Sequence, residues 1–437
     1  MATTADARAL AFERRPHRTL LALSAPVMLS LIVEPLAGLV DTAFVERLGA
    51  APLAALGAAT ALLSSVLWVF NFLAIGSQTE VAQAEGRGDR PRARRAASTA
   101  LILAGLSGVA LALALAALLH PAAAWMSDVP EVRHATVVYL AIRLVGAPAG
   151  LVTLAAFGVL RGTQEMRAPL AVAAAVSALN VLLDPLLIFG PGPFPRLGVA
   201  GAALATAGSQ LFGAVAAVML VRRRIGLVLR LDGAEARRLV VVGRDMVIRT
   251  GAALAFLLLA TRAAIRAGVA AGAAHQAVRQ VWILLAFLLD AYATAAQSLV
   301  GFFLGAGDRR RALRVAAVSC AWGLGTGFVL SVVLWLVEPA VAALLVPEEA
   351  RAPFGAAWKV CTLMQPVNAL SFVTDGIHWG AGRYAFLRNV MLFATASGVL
   401  LLALIPETSP RALLLVWLAT AGWIAIRAGF GVSRLSF

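Results

Sequence analysis

Apolar stretches of about 20 residues recur along the chain from Leu20 to Ile426, and each is long enough to cross roughly 30 Å of hydrocarbon. No water is available there to satisfy backbone N–H and C=O groups, so such stretches are helical. Window length places twelve of them, with cores near residues 20–45, 53–82, 97–119, 134–158, 168–189, 199–221, 239–263, 274–303, 313–337, 354–378, 386–405 and 412–430. The expected fold class is therefore an all-α polytopic membrane protein. Composition agrees: 61% of residues are hydrophobic and 14% charged, against about 45–50% and about 25% in soluble domains. The first stretch is too long, and too polar at its centre, for a signal-peptide core, so a retained helix is expected.

A net charge of +15 raises the question of nucleic acid, but the arginines fall in short loops between apolar runs, not on one soluble face. No nucleic-acid partner is expected. Arg8, Arg14, Arg15 and Arg18 precede the first span. Arg87 to Arg95, Arg222 to Arg238 and Arg309 to Arg314 fill later loops. Alternate loops carry acids instead: Asp128 and Glu131, then Glu338, Glu348 and Glu349, then Glu407. The positive-inside rule then puts both termini in the cytoplasm, as an even number of spans requires. Cys320 and Cys361 lie inside apolar runs without metal-ligand or redox spacing and read as packing residues.

The chain repeats itself. Gly86-Arg87-Gly88-Asp89-Arg90 resembles Gly305-Ala306-Gly307-Asp308-Arg309, half a chain later, and Arg161-Gly162-Thr163-Gln164 resembles Trp379-Gly380-Ala381-Gly382. Six spans per half give both halves the same orientation, so the two lobes are expected to be related by a pseudo-twofold axis along the membrane normal. The lobes run over residues 1–221 and 239–437, joined by a basic cytoplasmic linker over 222–238. In parallel-repeat transporters the binding cavity lies between halves near the midplane.

Asp41, in the first span, and Asp184, in the fifth, are ionisable residues at bilayer depth. Each costs roughly 2.5–3.5 kcal/mol on insertion scales and marks an ion or substrate pathway by default. Asn180 stands four residues before Asp184, on the same helix face. The three offer hard oxygen ligands to a small cation, or a carboxylate able to take a proton; the competing reading is neutralisation by arginines from other helices. Pro26 and Pro35 interrupt the first span, and Pro26 is a candidate hinge, with Glu34 beside the second of them as a possible cavity residue. Asn71, Gln78, Thr79 and Gln83 in the second span, and Thr206 and Gln210 in the sixth, fit interhelical hydrogen bonding at least as well as ligand contact. Asp290 and Asp375 are possible cavity acids in the second half, with a salt bridge competing at Asp375. His275 reads as structural. Trp68, Phe70, Trp282, Phe287 and Met364 are candidates for an apolar wall, although such residues more often face lipid or core. A phosphate loop, a His-Glu-x-x-His zinc motif and a nucleophile elbow are all missing from the sequence, so neither an enzyme nor an autonomous ATP-driven pump is expected.

With these residues assembled, the chain resembles the multidrug and toxic compound extrusion (MATE) family, in its DinF-like branch. The resemblance is carried by Pro35 through Ala43, Gln83 through Asp89, Leu160 through Gln164, Asn180 through Pro185 and Gly301 through Asp308. It implies a twelve-helix antiporter with V-shaped lobes, exporting cationic or amphiphilic small molecules against inward Na⁺ or H⁺. It also implies that Asp41, Asn180 and Asp184 are coupling residues, that Thr206 is a further cation ligand, and that the first helix bends at Pro26. The acids that another branch uses in its second lobe have only Asp375 as a partial counterpart. No tightly bound cofactor is implied beyond the transported ion, which Asp41, Asn180, Asp184 and Thr206 would ligate if it is Na⁺. The expected protein is monomeric and sits in a bacterial or archaeal cytoplasmic membrane, working by rocking-type alternating access. The runner-up is a lipid-linked oligosaccharide flippase of the same superfamily, which would favour a larger and more cationic cavity. A lipid-modifying membrane enzyme would need His, Asp or Glu clusters at the interface, where this chain has mostly arginine.

Overall fold

A computed structural model describes residues 12–228, 230–406 and 409–436; Arg8, Glu407 and the side chain of Glu34 lie outside the described residues. The described residues are all-helical, as the apolar runs require. In chain order the helices are α1 (Pro16–Glu46), α2 (Ala50–Val69), α3 (Phe72–Gly86), α4 (Arg90–Ala117), α5 (Leu119–Met126), α6 (Pro130–Gly162), α7 (Arg167–Phe189) and α8 (Val199–Ile225). They continue with α9 (Gly233–Arg266), α10 (Val269–Gly305), α11 (Arg309–Leu345), α12 (Arg351–Leu363), α13 (Gln365–Gly380), α14 (Tyr384–Ala403) and α15 (Ala412–Ser433). Eleven of these segments, with Ala50–Gly86 taken as one, are long and apolar enough to cross a membrane. The stretch expected at 354–378 is instead two shorter helices meeting at Met364. Pro366 lacks the N–H that would bond the Thr362 carbonyl, and the Ser331 hydroxyl donates to that carbonyl instead, at 2.7 Å.

Many large apolar side chains point outward: Leu258 is 71% exposed, Phe328 61% and Leu336 71%. An apolar exterior on this scale is a lipid-facing surface. The interior is filled largely by small residues, such as Ala155, Ala156, Ala293 and Ala296, as expected where helices pack without a hydrophobic driving force between them.

The chain divides into two compact units. One is Ala25–Gly243; the other joins the described part of Met1–Ser24 to Arg244–Phe437. The first helix is thus shared, with the division falling beside Pro26, and α1 stays helical through both Pro26 and Pro35.

Each unit is built around one central helical segment. In the Ala25–Gly243 unit α6 packs against α3, α4 and α8; in the other, α13 packs against α10, α11 and α15. The packing repeats in detail. Gly158 of α6 lies directly on the Ala74 backbone, as Gly376 of α13 lies on that of Ala293. Gly108 likewise meets Pro148, and Gly327 meets Pro366. The loop motif found in the sequence is a helix start in both copies. Asp89 accepts from the Arg92 N–H at 3.0 Å, and Asp308 from the Arg311 N–H at 2.9 Å. Each follows a left-handed glycine, Gly88 at φ 71° and Gly307 at φ 75°, which turns the chain between antiparallel helices. Gln164 takes a positive φ of 61° at the place that Gly382 fills at 71°.

A methyl group at Gly376 would meet backbone atoms of Ala293, which cannot rotate away. Gly376→Ala is expected to destabilise the protein by about 1–3 kcal/mol, the usual cost of overpacking. The loss would be read as a lower thermal midpoint in detergent, and an unchanged midpoint would contradict the seam.

Candidate functional site

Asp184 is fully buried on α7, which is otherwise almost entirely apolar. The helical spacing read from the sequence places Asn180 one turn away, and its amide donates to Asp184 Oδ2 at 3.2 Å. Asp41, half-buried on α1, meets Asp184 side chain to side chain within hydrogen-bonding reach. A hydrogen bond between two carboxyl groups needs a proton on one of them. Asp41 Oδ1 and Asp184 Oδ1 are both buried with no donor among the described residues.

Two residues of α6 complete the cluster, and sequence reasoning did not find them. Tyr139 is buried, and its phenol pairs with Thr206 of α8 and Thr60 of α2 within electrostatic reach of Asp41. Arg143, one turn along, also acts on Asp41 through space, but its Nη1 is given to Gln210 Oε1 at 3.0 Å. Its Nε is buried without an acceptor. Among the described residues no arginine forms a contact ion pair with Asp41 or Asp184. Arg143 was readable by the argument that singled out Asp41, since it lies inside the fourth expected span; Tyr139 gave no signal beyond its spacing from it.

Of the expected cation ligands, Asp41, Asn180 and Asp184 come together. Thr206 joins them through Tyr139, while its hydroxyl donates to the Ala202 carbonyl at 2.9 Å. Two uncompensated buried carboxylate oxygens, with an amide carbonyl and hydroxyls nearby, suit a proton or a small hard cation. All these residues belong to the Ala25–Gly243 unit.

The remaining candidates lie elsewhere. Asn71 occupies the break between α2 and α3, and Gln78 is buried on α3 with its main-chain carbonyl against Gly162. Asp290, on α10, is half-buried and engaged. Asp375, on α13, is held by both Arg249 and Arg427, the latter at 2.8 Å. Both guanidiniums lie over indole rings: Arg249 is 5.2 Å from the Trp379 centroid and Arg427 4.6 Å from that of Trp423. That carboxylate is locked in an ion cluster, as the competing reading held. His275 pairs with the Thr261 hydroxyl at 3.1 Å. Trp282 and Met364 are buried in the hydrophobic core, whereas Trp68 is exposed.

The sequence matches the MatE family model over residues 26–186 and 253–404. It is 30% identical to Protein DETOXIFICATION 44, chloroplastic, of Arabidopsis thaliana, over 95% of this chain and 81% of that protein. It is 28% identical to DNA damage-inducible protein F of Escherichia coli, over 96% and 92% respectively. The fold superposes on a crystal structure of MATE in the bent conformation with a TM-score of 0.87, at 21% identity, covering 96% of each chain. Family membership makes this a multi-pass transporter of small molecules rather than an enzyme. The chain belongs to the MatE family, the multidrug and toxic compound extrusion transporters.

Proposed function

We propose that the protein is a cation-coupled multidrug antiporter in which the Asp41–Asp184 pair binds the coupling ion and exports cationic or amphiphilic compounds in exchange. The observation that carries this reading is the direct contact of two carboxyls in the membrane interior, without a contact arginine and with one oxygen of each unsatisfied. Entry of H⁺ or Na⁺ satisfies those oxygens, and exit strips them again. Each state therefore favours a different packing of α1 against α7, which is how ion occupancy biases a two-state element. Pro26, beside the division of α1 between the two units, is the hinge in this proposal, and alternating access proceeds by rocking of the lobes. One charge crossing 100 mV supplies about 2.3 kcal/mol, enough for roughly 40- to 50-fold accumulation. The protein works as a monomer in a bacterial or archaeal cytoplasmic membrane with both termini cytoplasmic; the arginine-rich loops support that orientation.

The coupling ion is decided by proteoliposomes loaded with a fluorescent cationic dye. A Na⁺ gradient at fixed pH and a pH gradient without Na⁺ are imposed separately. Dye export is expected to follow one of the gradients and to dissipate it in return. Export indifferent to both would overturn the proposal.

A further inference from the structure

A cleft of about 480 Å³ opens on the outside of the Arg244–Phe437 unit, between the start of α14 and the end of α15. Its lining combines basic, amide and aromatic side chains. At the helix ends lie Arg383 and Arg434, with Asn389 a turn and a half into α14. Phe386 lies between Arg383 and Asn389 along α14, Phe393 a turn beyond Asn389, and Phe430 a turn before Arg434 on α15. Phe393 follows Tyr384 by nine residues, which puts it about 13 Å along the helix at 1.5 Å per residue. Phe393 and Phe430 meet edge to face at 5.7 Å and still remain 55% and 43% exposed.

The polar end is cationic and open to a ligand. Arg383 spends both Nη groups on the Arg434 and Ser436 carbonyls, at 2.8 and 2.7 Å, and so fixes the chain after α15. The Arg434 guanidinium itself is exposed and has no partner among the described residues. Asn389 accepts from Arg388 with its oxygen, at 3.0 and 2.9 Å, leaving its NH₂ group as a donor. Among the described residues no acidic side chain lines the cleft. The nearby Asp245 is already taken by Arg388 at 2.6 Å and Arg244 at 2.9 Å.

We propose that this cleft is a binding site for an anionic phospholipid, with the headgroup phosphate on Arg434 and Asn389 and an acyl chain along Phe386, Phe393 and Phe430. Basic pockets between membrane helices at the arginine-rich face recognise anionic headgroups by charge, and the aromatic floor fits an acyl chain but not a free anion. The site uses none of the residues assigned to ion coupling, so it stands or falls independently of the proposed function.

The test is lipid-dependent stabilisation of the full-length, delipidated protein in detergent. Phosphatidylglycerol is expected to raise the thermal midpoint, and phosphatidylcholine at the same concentration is not. Arg434→Gln is expected to require about fivefold more phosphatidylglycerol for the half-maximal shift, the effect of losing one arginine at an anionic surface. Arg310→Gln, an exposed arginine elsewhere in the same unit, is expected to respond like the parent. Equal shifts from phosphatidylcholine, an undiminished response of Arg434→Gln, or the same shift from glycerol 3-phosphate alone would each overturn the proposal.

Discussion

Asp184→Asn is expected to yield a folded protein that no longer accumulates substrate against a gradient. Asparagine has nearly the same shape and retains an acceptor for the Asn180 amide, so the packing of α7 survives. What disappears is the charge to which the proposed mechanism gives uptake and release of the coupling ion. In vesicles held at 100 mV and given an uncharged amphiphile, so that each exchange moves one net charge, the substrate ratio is expected to fall from roughly 40- to 50-fold to near unity, while downhill exchange and substrate binding persist. Asp41→Asn is expected to do the same. Because the two carboxyls touch and act as one unit, the double variant should be little worse than either single one, a non-additivity expected for coupled sites. Gradient-driven accumulation surviving in either single variant would remove the pair from the mechanism.

Asp375→Ala is expected to cost more stability than Gly376→Ala, about 3–5 kcal/mol, as usual when one partner of a buried ion cluster is removed. Arg249 and Arg427 would be left facing each other, both largely out of water and each already with a buried Nε lacking an acceptor. The triple variant Arg249→Met, Asp375→Leu, Arg427→Met replaces the cluster with apolar groups and is expected to recover most of that loss. Thermal midpoints in detergent compare the two. The recovered protein should still respond to the ion gradient, since the proposed coupling pair Asp41 and Asp184 is untouched; loss of coupling in the stable triple variant would give Asp375 a part in transport.

The sequence made some of this legible because the relevant physics is local. Run length announced the helices, and the repeated Gly-x-Gly-Asp motif announced two equivalent loops, each with a left-handed glycine and a capping aspartate. Helical spacing alone put Asn180 beside Asp184. What stayed hidden depends on partners far away in the chain. Arg249 is 126 residues from Asp375 and Arg427 52 residues from it, so no local pattern distinguishes a locked carboxylate from an available one. The expected span at 354–378 was read as continuous in spite of Pro366, and the Ser331 hydroxyl that makes the break tolerable comes from another helix. Tyr139 links Thr206 to the acid pair only through tertiary packing.

The glycine contacts found in both halves bear on where this molecule can bend. At Gly158 and Gly376 one helix rests on another's main chain with no side chain to act as a cushion, and close-packed interiors of that kind transmit strain instead of absorbing it. Each bundle is therefore stiff around its central contact, and the proposed mechanism assigns the deformation to stretches beyond it, foremost the opening helix, whose residues are divided between units next to a proline.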